Sequence, residues 1–570
     1  MYRMNSRTAW PRRALGRGWK ALALRRFRDA EDGNLIVFAF CLFVAMVMIG
    51  GLAVDVMRYE SVRTNLQNTL DRSTLAAASL TQDLDAEDVV YDYFEKAGLL
   101  DYLTGVEVDE GINYREVTAD ATAATKPFFL HLLGIDSFDA IGHSVAEQRI
   151  TNVEIMLVLD VSGSMGSNNR LTNLKSAAVE FVDTVLASDG EDRISIGLVP
   201  FNGQVNLGST LRARYSTTDN HGVANVNCVD LPASVYNSIA MPPSTSLPMT
   251  PYADTYSSTN QSTTHTSPTS TDYATVNSAN VWCPPSTVNI VRLPSNNMTT
   301  LKSQINGLTA IGATSINAGM RWGTALMDPG SRSMFTALIG ANQMQSTWAG
   351  RPYDYTDDEA MKVIVLMTDG EHFKEERVNA GYRTGLSPIY RSSGDGNYSV
   401  RFTSGRPTAA GTKEYWVPHL CTSNNCKNGS NTGEAWRATA WTNNSTAAVQ
   451  QTWVQVWNNL RASYVAWNFY ARALGSSSTS RTNTYNTWIA NFRTQTETDD
   501  MDNQLDAICD LAKANGVTVY GIAFEAPSGG QAAISSCASS SAHYYNATGL
   551  QIKSAFRSIA SNISQLRLTQ

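Results

Sequence analysis

Three oxygen-bearing side chains occupy every second position near residue 160. The segment EIMLVLDVSGSMGS, residues 154 to 167, is an apolar run that ends on Asp160 and continues with Ser162 and Ser164. An extended chain turns alternate side chains to the same side, so all three can face one ligand. Carboxylate and hydroxyl oxygens are the donors that a hard divalent cation prefers.

Two distant segments carry donors of the same kind. KVIVLMTDGEH, residues 362 to 372, is again an apolar strand that ends on an acid, Asp369. GLTAIGATSINAGMRWGTALMD, residues 307 to 328, places Thr314 at the start of a predicted helix. Parallel strands present their ends at one edge of a sheet, where loops from distant sequence converge. We therefore expect the two acids and three hydroxyls to hold Mg²⁺, or Mn²⁺ or Ca²⁺ in its place.

The same residues do not predict an enzyme. A hydrolase would use Ser162 or Ser164 as its nucleophile, but the segment is not a Gly-x-Ser-x-Gly elbow, and nothing identifies a base among the seven histidines. A phosphatase with Asp160 as its nucleophile would need a second acid where Ser162 stands. The pattern therefore favours a binding site over a catalytic one.

The surrounding elements predict an α/β fold. LTNLKSAAVEFVDTVL is typical of a first helix, RISIGLVPFN of the next strand, and DNQLDAICDLAKANGVTVYGIAFE of a helix and a strand near the C-terminus. Strands that alternate with amphipathic helices indicate a Rossmann-like parallel sheet that is covered on both faces. We assign this domain to residues 151–570.

Two segments exceed what such a domain needs. Residues 203–300 are rich in Ser, Thr, Asn and Pro, and we expect a solvated loop tied by Cys228 and Cys283. Residues 371–500 contain seven of the twelve tryptophans and predict a folded subdomain near the metal site. Steps of three and four there predict one long helix whose apolar stripe packs in a core rather than forming an exposed binding face. The stripe comprises Trp453, Trp457, Leu460, Tyr464, Trp467, Ala471 and Leu474.

A transmembrane helix is predicted near the N-terminus. Residues 35–54 carry no charge and, at about 1.5 Å per residue, are long enough to cross the roughly 30 Å hydrocarbon core of a bilayer. A cleaved signal peptide and a buried core helix are the alternatives. The length of the run and the lack of a small-x-small cleavage site favour the anchor.

The charge distribution predicts the orientation of this anchor. Residues 1–33 carry nine Lys and Arg against three Asp and Glu, although the whole chain has a net charge of −7. By the positive-inside rule the tail, residues 1–34, stays cytoplasmic, and the C-terminal bulk is periplasmic or surface-exposed. The basic tail can also contact anionic headgroups, and nothing in the sequence favours nucleic acid as a partner.

Residues 55–150 predict an extracytoplasmic module that begins on the same helix. An apolar stripe extends the helix to about residue 80. Strand-like alternation follows in TGVEVDEGINYREVTADATAATK, residues 104 to 126. The stripe comprises Tyr59, Val62, Leu66, Leu70 and then Leu75 or Ala78.

Cysteine usage agrees with an oxidising compartment. Cys41 lies in the predicted span, and the other six cysteines lie on its outer side. Zinc is an alternative for the pair closest to His419, but no second ligand pair at metal spacing accompanies it. The disulfides predicted from proximity in sequence are Cys228–Cys283, Cys421–Cys426 and Cys509–Cys537.

The N-terminal layout resembles the TadE/TadG-type pilus-assembly module. The resemblance covers roughly residues 29–80 and rests on a Gly-Asn start at Gly33, a span that ends in Gly-Leu-Ala-Val-Asp, and a Leu-Gln-x-x-x-Asp-x-x-x-Leu-Ala-Ala-Ala helix. Prepilin-peptidase substrates of this class usually keep a Glu where Phe38 stands. This departure from the class at Phe38 therefore favours a retained anchor over a processed pilin.

The oxygen donors resemble the metal-ion-dependent adhesion site of von Willebrand factor A domains. Asp-x-Ser-x-Ser stands at residues 160–164, with Thr314 as the loop threonine and Asp369 as the second acid. In that family the metal is bound partly through water, and an acidic side chain of another protein completes its shell. The resemblance implies a protein partner of this kind.

The two resemblances together imply a TadG-like protein. Such a protein would be a single-pass component of the bacterial inner membrane that serves Tad (Flp) pilus assembly or secretion, and its partner would be another assembly component. Two alternatives stay open. One is a minor pilin-like structural subunit, and the other is an adhesin that faces an external ligand.

Overall fold

The computed structural model describes residues 32–79, 84–110, 114–149, 152–187, 192–256, 274–357, 360–420, 435–444 and 447–563. Almost all of the predicted cytoplasmic tail and the predicted Cys421–Cys426 disulfide lie outside these residues. The chain divides into two compact units between Ile150 and Thr151, and 151 is also the predicted first residue of the α/β domain.

The first unit is a long helix that carries a small antiparallel sheet. Its elements are α1 (Asp32–Ala77), α2 (Ala86–Lys96), β1 (Leu103–Glu110), β2 (Tyr114–Thr125) and β3 (Phe138–Arg149). Strand β2 lies between β1 and β3 and is antiparallel to both. In the part of the chain that the structure describes, α1 is the one helix long and apolar enough to cross a membrane, and nearly all of its most apolar stretch is exposed.

The predicted apolar stripe joins α1 to this sheet. Leu66 and Leu70 are buried in a core that alanines of β2 and β3 complete. Gly142 of β3 lets the helix approach closely, because a Cβ built there would lie 2.6 Å from Leu70 Cδ1. Of the two predicted ends of the stripe, Ala78 is buried, whereas Leu75 is exposed and is therefore the wrong choice.

The second unit has fifteen strands and twelve α-helices among its described residues, and ten of the helices have at least five residues. The strands are β4 (Asn152–Asp160), β5 (Ile194–Phe201), β6 (Thr217–Thr218), β7 (Leu247–Pro248), β8 (Arg292–Ser295), β9 (Ala360–Thr368), β10 (Glu375–Val378), β11 (Leu386–Ser392), β12 (Tyr398–Arg401), β13 (Tyr415–Trp416), β14 (Trp436–Arg437), β15 (Ala448–Thr452), β16 (Arg493–Thr496), β17 (Thr518–Phe524) and β18 (Tyr544–Ala547). The helices of at least five residues are α3 (Arg170–Ala187), α4 (Gly208–Arg212), α5 (Met298–Gly307), α6 (Ile316–Met327), α7 (Arg332–Gly340), α8 (Trp453–Asn459), α9 (Ser478–Phe492), α10 (Thr498–Ala514), α11 (Ser528–Cys537) and α12 (Gln551–Ile563).

A six-stranded sheet with the order β18-β17-β9-β4-β5-β8 forms the centre of this unit. All neighbouring strands are parallel except β8, which is antiparallel to β5. The register pairs Leu159 of β4 with Met367 of β9, so the two strands end together at one edge. The predicted parallel sheet is thus present, with one antiparallel edge strand contributed by the segment predicted to be the first insertion.

Helices cover both faces of the sheet. Along β4, alternate side chains enter different cores, with Met156 and Val158 on one side and Ile155 and Leu157 on the other. The first core contains residues of α6, α7, α10 and α11, and the second contains residues of α3, α5 and α12. A strand buried on both faces has no polar side, which explains the continuous apolar run in the sequence.

The prediction that residues 203–300 form a solvated loop is wrong for most of the described part. Leu207, Tyr236, Leu247 and Met249 are at most 3% exposed and belong to the same core as α6. The Ser- and Thr-rich centre of the segment lowers the average hydropathy and hides these apolar residues, which are spaced singly among polar ones.

The predicted Cys228–Cys283 disulfide is present and is buried with Val226 in a small cluster. The structure also contains the predicted Cys509–Cys537 disulfide, which joins α10 to the end of α11.

The second insertion is a folded subdomain, as predicted. It enters and leaves through the antiparallel ribbon β10–β16, where Val378 lies opposite Arg493. A five-stranded sheet with the order β14-β13-β12-β11-β15 packs on helices around an aromatic core. Within that core Trp453 stacks on Trp457, with ring centroids 5.1 Å apart.

The tryptophan stripe does not lie on one helix. Helix α8 ends at Asn459, Leu460 is extended with φ −126° and ψ 139°, and a second helical segment follows, made of Ala462–Tyr464, the π-helix Val465–Ala471 and Arg472–Leu474. The backbone leaves the helix because residues 461 and 462 donate their N–H groups to carbonyls of the first insertion. The predicted core packing is confirmed, since six of the seven stripe residues are buried.

Candidate functional site

Asp160 ends β4, and its side chain is completely buried. Its Oδ1 accepts the backbone N–H of Ser162 at 2.7 Å, and its Oδ2 accepts the hydroxyl of Thr368 at 2.6 Å. Thr368 ends the neighbouring strand β9, so this hydrogen bond joins the two strand ends. Each carboxylate oxygen keeps lone-pair capacity for a further donor or a cation.

The two serines connect Asp160 to the second acid. Ser162 Oγ lies 3.0 Å from Ser164 Oγ, and the Ser164 hydroxyl donates to Asp369 Oδ1 at 2.7 Å. Asp369 and Ser162 are buried, whereas Ser164 is exposed. The predicted alternation therefore brings both hydroxyls to the acids of two strands.

Thr314 borders the same cluster from a third segment. A Cβ built on Gly370 would lie 3.5 Å from Thr314 Oγ1 and 3.9 Å from Ser164 Oγ, so both hydroxyls adjoin the residue that follows Asp369. The structure thus gathers all five predicted donors at the C-terminal edge of the sheet.

Backbone hydrogen bonds fix the loops that carry these donors. Gly163 N–H donates to Gly312 O at 2.9 Å, and Phe373 N–H donates to Thr314 O at 2.9 Å. Gly312 has φ +88°, a conformation that glycine adopts without the strain of a Cβ. The loops after β4 and β9 and the loop before α6 are therefore held against one another.

The site places the carboxylates of Asp160 and Asp369 close together and away from solvent. Burial, and after it the charge of Asp369, raise the pKa of Asp160 to about 7, although hydrogen bonds from Thr368 and Ser162 oppose the change. A bound divalent cation would reverse this balance, because it stabilises both carboxylates in their charged form.

The residues fit a hard divalent cation. Their donors are carboxylate and hydroxyl oxygens, which Mg²⁺ prefers over nitrogen and sulfur. Within the described ranges no cluster of three or more His, Cys, Asp or Glu side chains could hold a metal, and the candidate site combines two carboxylates with three hydroxyls. Asp160, Ser162 and Ser164 would hold the ion together with Thr314 and Asp369.

Sequence reasoning missed Arg170, the first residue of α3. Its Nη1 lies 2.9 Å from Asp369 Oδ2, and its Nε lies 2.9 Å from Glu525 Oε2. The hydrogen bond from Arg170 is the main reason that the pKa of Glu525 is lowered. Because 355 residues separate Arg170 from Glu525, no local pattern in the sequence could connect them.

An aromatic group stands beside the metal-site residues. Phe373, whose N–H bonds to Thr314, is 46% exposed. Its ring lies 6.2 Å from that of Trp282 and 6.2 Å from that of Tyr256, measured between centroids. Both insertions therefore contribute apolar surface next to the oxygen cluster.

Comparisons with known protein families identify two segments. Residues 33–80 match the family described as putative Flp pilus-assembly TadE/G-like, and residues 155–225 match the von Willebrand factor type A domain. The first segment covers most of α1, and the second starts in β4 and contains the Asp-x-Ser-x-Ser residues. A search of curated protein sequences finds no match.

Several solved structures are similar at low sequence identity. The vWF domain of the type V pili tip protein Mfa5 from Porphyromonas gingivalis is 12% identical, and the match covers 73% of this chain and 95% of that one with a TM-score of 0.29. An adhesive tip pilin from Group B Streptococcus agalactiae is 11% identical, with 72% and 99% coverage and a TM-score of 0.29. The pilus adhesin SpaC from Lactobacillus rhamnosus GG is 10% identical, with 80% and 34% coverage and a TM-score of 0.27.

The family matches agree with the architecture. The match to the type A domain begins in the central strand β4 of a parallel sheet covered by helices, and the TadE/G-like match lies on the apolar helix. The chain therefore joins an N-terminal TadE/G-like pilus-assembly segment to a von Willebrand factor type A domain.

Proposed function

We propose that this protein is a membrane-anchored component of Tad (Flp) pilus assembly that binds a protein partner through a divalent cation. The observation that carries the proposal is the convergence of Asp160, Ser162, Ser164, Thr314 and Asp369 at one edge of the type A domain. The TadE/G-like segment supports the link to pilus assembly.

The proposed mechanism is one of binding, not of catalysis. Mg²⁺, when bound, supplies positive charge for an acidic side chain of the partner. Asp160 and Asp369 provide the opposing charge, and the hydrogen bonds from Thr368 and Arg170 orient their carboxylates in advance. A preorganised site loses less entropy when a partner binds, which favours affinity.

The proposed anchor is the apolar part of α1, residues 35–54. The excess of positive charge before it supports an inner-membrane location with a cytoplasmic N-terminus. The partner would then be another assembly component outside the cytoplasm. Phe373 and Tyr256 would contact the residues that flank its acidic side chain.

The test is a count of surface pili by electron microscopy in cells that carry Asp160→Ala. Asp510→Ala is the matched control, because it removes an acid that is 75% exposed on the same domain. With protein levels matched to wild type, we expect Asp160→Ala to lose pili and Asp510→Ala to retain them. Normal pili in Asp160→Ala cells would refute a role for the site in assembly and would favour the adhesin alternative.

A minor pilin-like subunit remains the second candidate, because the first unit consists of a long apolar helix that carries a small sheet. Such a subunit would be processed after Gly33 and recovered in sheared pili. N-terminal sequencing of the mature protein separates the two candidates. A mature chain that starts at Asn34 would support the pilin, and an intact basic tail would support the anchor.

A further inference from the structure

The loop between β2 and β3, residues 126–137, exposes large apolar side chains. Phe128, Leu132 and Leu133 are 71%, 78% and 58% exposed. Single exposed apolar residues are ordinary, but three in one short connection form a patch that is typical of an interaction surface.

This loop lies along the predicted span and not beyond it. The loop and α1 enclose a groove with apolar walls, whose lining residues include Phe43, Val47 and Leu52 of the helix and Phe129, Leu132 and Leu133 of the loop. Between the first and the last of its helix residues, α1 rises about 14 Å. The loop is therefore level with a stretch of the helix that would be inside the bilayer.

The attachment of the loop to α1 is specific. Both Asp55 carboxylate oxygens are used, and they accept the backbone N–H groups of residues 128, 129 and 130 at 2.8, 2.8 and 2.9 Å. A Cβ built on Gly51 would lie 2.3 Å from the Phe129 ring, so only a residue without a side chain fits there. Helix and loop are thus closely packed at the end of the span.

Several backbone N–H groups of the loop are hydrogen-bonded within the protein, which suits an apolar medium. Beyond the three N–H groups that Asp55 accepts, those of Leu132, Gly134 and Ile135 donate to carbonyls within the loop at 3.1 to 3.2 Å. Hydrocarbon offers no hydrogen bonds, so a segment that enters it must satisfy its own backbone groups. His131 and Asp136 pair with each other, with Nδ1 and Oδ1 3.0 Å apart.

We propose that the β2–β3 loop is a second membrane-inserting element, in which phospholipid acyl chains cover Phe128, Leu132 and Leu133. The proposal rests on the anchor role of residues 35–54, because the loop follows the helix into whichever phase surrounds it. The inserted loop would contact the bilayer from one side only, and this contact would fix the rotation and depth of α1 in the bilayer.

The test uses the full-length protein in vesicles of phosphatidylethanolamine and phosphatidylglycerol. With Cys41→Ser as the parent, single cysteines are introduced by Leu132→Cys, Leu133→Cys, Val47→Cys and Glu107→Cys and labelled with a fluorescent probe. Quenching by lipids with a nitroxide on the acyl chain is then measured, and the signal of the labelled parent is subtracted. Leu132 and Leu133 are exposed, so their replacement removes no core contact.

We expect the probes at residues 132 and 133 to be quenched as strongly as the probe at 47, and the probe at 107 to be unaffected. Quenching at 47 without quenching at 132 and 133 would overturn the inference and leave the anchor intact. That result would point instead to a second protein chain over the patch. If the probe at 47 is also unquenched, the anchor itself fails, and insertion of the loop fails with it.

Discussion

Asp160 and Asp369 are two buried acids that lie close together. Among the described residues, the side chain of Asp160 is hydrogen-bonded to Ser162 and Thr368 and not to a cationic group. The nearest fixed positive charge belongs to Arg170, which bonds to the second acid and not to the first. Burial, and after it the charge of Asp369, raise the pKa of Asp160 to about 7, so either a proton or a cation would relieve the repulsion between the two carboxylates. At the residue scale, this arrangement supports the proposed cation.

We predict that Mg²⁺ stabilises the wild-type protein and has no such effect on Asp160→Ala. A ligand at one hundred times its dissociation constant stabilises the folded state by about 2.7 kcal/mol, so the melting temperature of the full-length protein in detergent should rise. Differential scanning fluorimetry with and without MgCl₂ measures this rise. Asp510→Ala serves as the control and should respond like wild type; an equal response of Asp160→Ala would contradict the assigned site.

Arg170→Gln should destabilise the type A domain more in EDTA than in Mg²⁺. The change leaves Asp369, whose side chain is fully buried, without its ionic partner, at a cost of roughly 1–3 kcal/mol. A cation would offset part of that cost. Urea unfolding of the full-length protein in both conditions measures the difference, and equal losses would show that Arg170 and the ion do not share Asp369.

The donors could be predicted from sequence because each lies at the end of a strongly patterned element. Asp160 ends β4, Asp369 directly follows β9, and Thr314 shortly precedes α6, while Ser162 and Ser164 follow Asp160 by alternation. Arg170 has no such local signal, because both of its partners lie far away in sequence and only the folded sheet brings them near.

At the scale of elements, the second insertion depends on short connections that side chains hold in place. Asp395 is an example in the turn between β11 and β12. Its Oδ1 accepts the N–H of Asn397 at 3.0 Å, and its Oδ2 accepts Asn397 Nδ2 at 2.8 Å and Trp441 Nε1 at 2.9 Å. Partial burial works to raise the pKa of Asp395, but these hydrogen bonds outweigh it and lower the pKa to about 2.

The second insertion should therefore lose stability as pH falls from about 4 towards 2. The lowered pKa of Asp395 means that its contribution is present above the pKa of the unfolded chain and disappears as the folded carboxylate becomes protonated. Because the side chain is largely exposed, the loss is at most about 1 kcal/mol. Denaturant unfolding across this pH range should show the loss in wild type and in Asp510→Asn, but not in Asp395→Asn. The same change of unfolding free energy with pH in all three proteins would refute this role of Asp395.

Trp457→Ala should destabilise the subdomain by about 3–5 kcal/mol. Trp457 is 1% exposed, stacks on Trp453, and donates its Nε1–H to the Tyr382 carbonyl at 2.7 Å. Trp457→Phe is the matched control, because it keeps an aromatic ring but loses the Nε1 donor and part of the volume of the indole. In denaturant unfolding, the free energy of unfolding of Trp457→Phe should lie between those of wild type and Trp457→Ala. An unchanged free energy of unfolding for Trp457→Ala would contradict the burial of the stripe.

The break in the tryptophan stripe shows what periodicity cannot reveal. Steps of three and four continue through Leu460 although the backbone there is extended, and the second helical segment is buried on all sides from Ala462 to Ala473. The interruption depends on carbonyls of Asp254 and Ala274 in the first insertion, which lie about two hundred residues earlier in the sequence. Local spacing predicts which side chains are buried, but it does not predict where the backbone finds its acceptors.

At the scale of the whole molecule, composition predicted the two units and their order along the chain. The uncharged run in α1 and the alternation of strands and helices after residue 151 were both strong signals. The predicted loop at residues 203–300 is wrong because the polar average of this segment hides an edge strand and many single core residues.

The proposed orientation makes a prediction for intact spheroplasts. Protease added from outside should degrade the type A domain and leave a fragment that contains α1 and the basic tail, because residues 1–34 would be cytoplasmic. Immunoblots against an N-terminal tag measure this fragment. A cytoplasmic protein that is digested only after lysis serves as the control. Protection of the whole chain before lysis would contradict the proposed orientation and indicate the opposite one.

The contacts between the two insertions have a consequence for how such proteins diversify. Arg461 lies 2.9 Å from Asp254, and the N–H of Ala462 donates to the Asp254 carbonyl, so the break in the stripe of one insertion is shaped by the other. The β10–β16 ribbon would allow the second insertion to be replaced by a tight turn, but its removal would take the Arg461 guanidinium away from the buried Asp254, whose Oδ2 would still accept the N–H of Asn277. Recombination that exchanged one insertion alone would therefore be selected against, and the two should be inherited and lost as a pair.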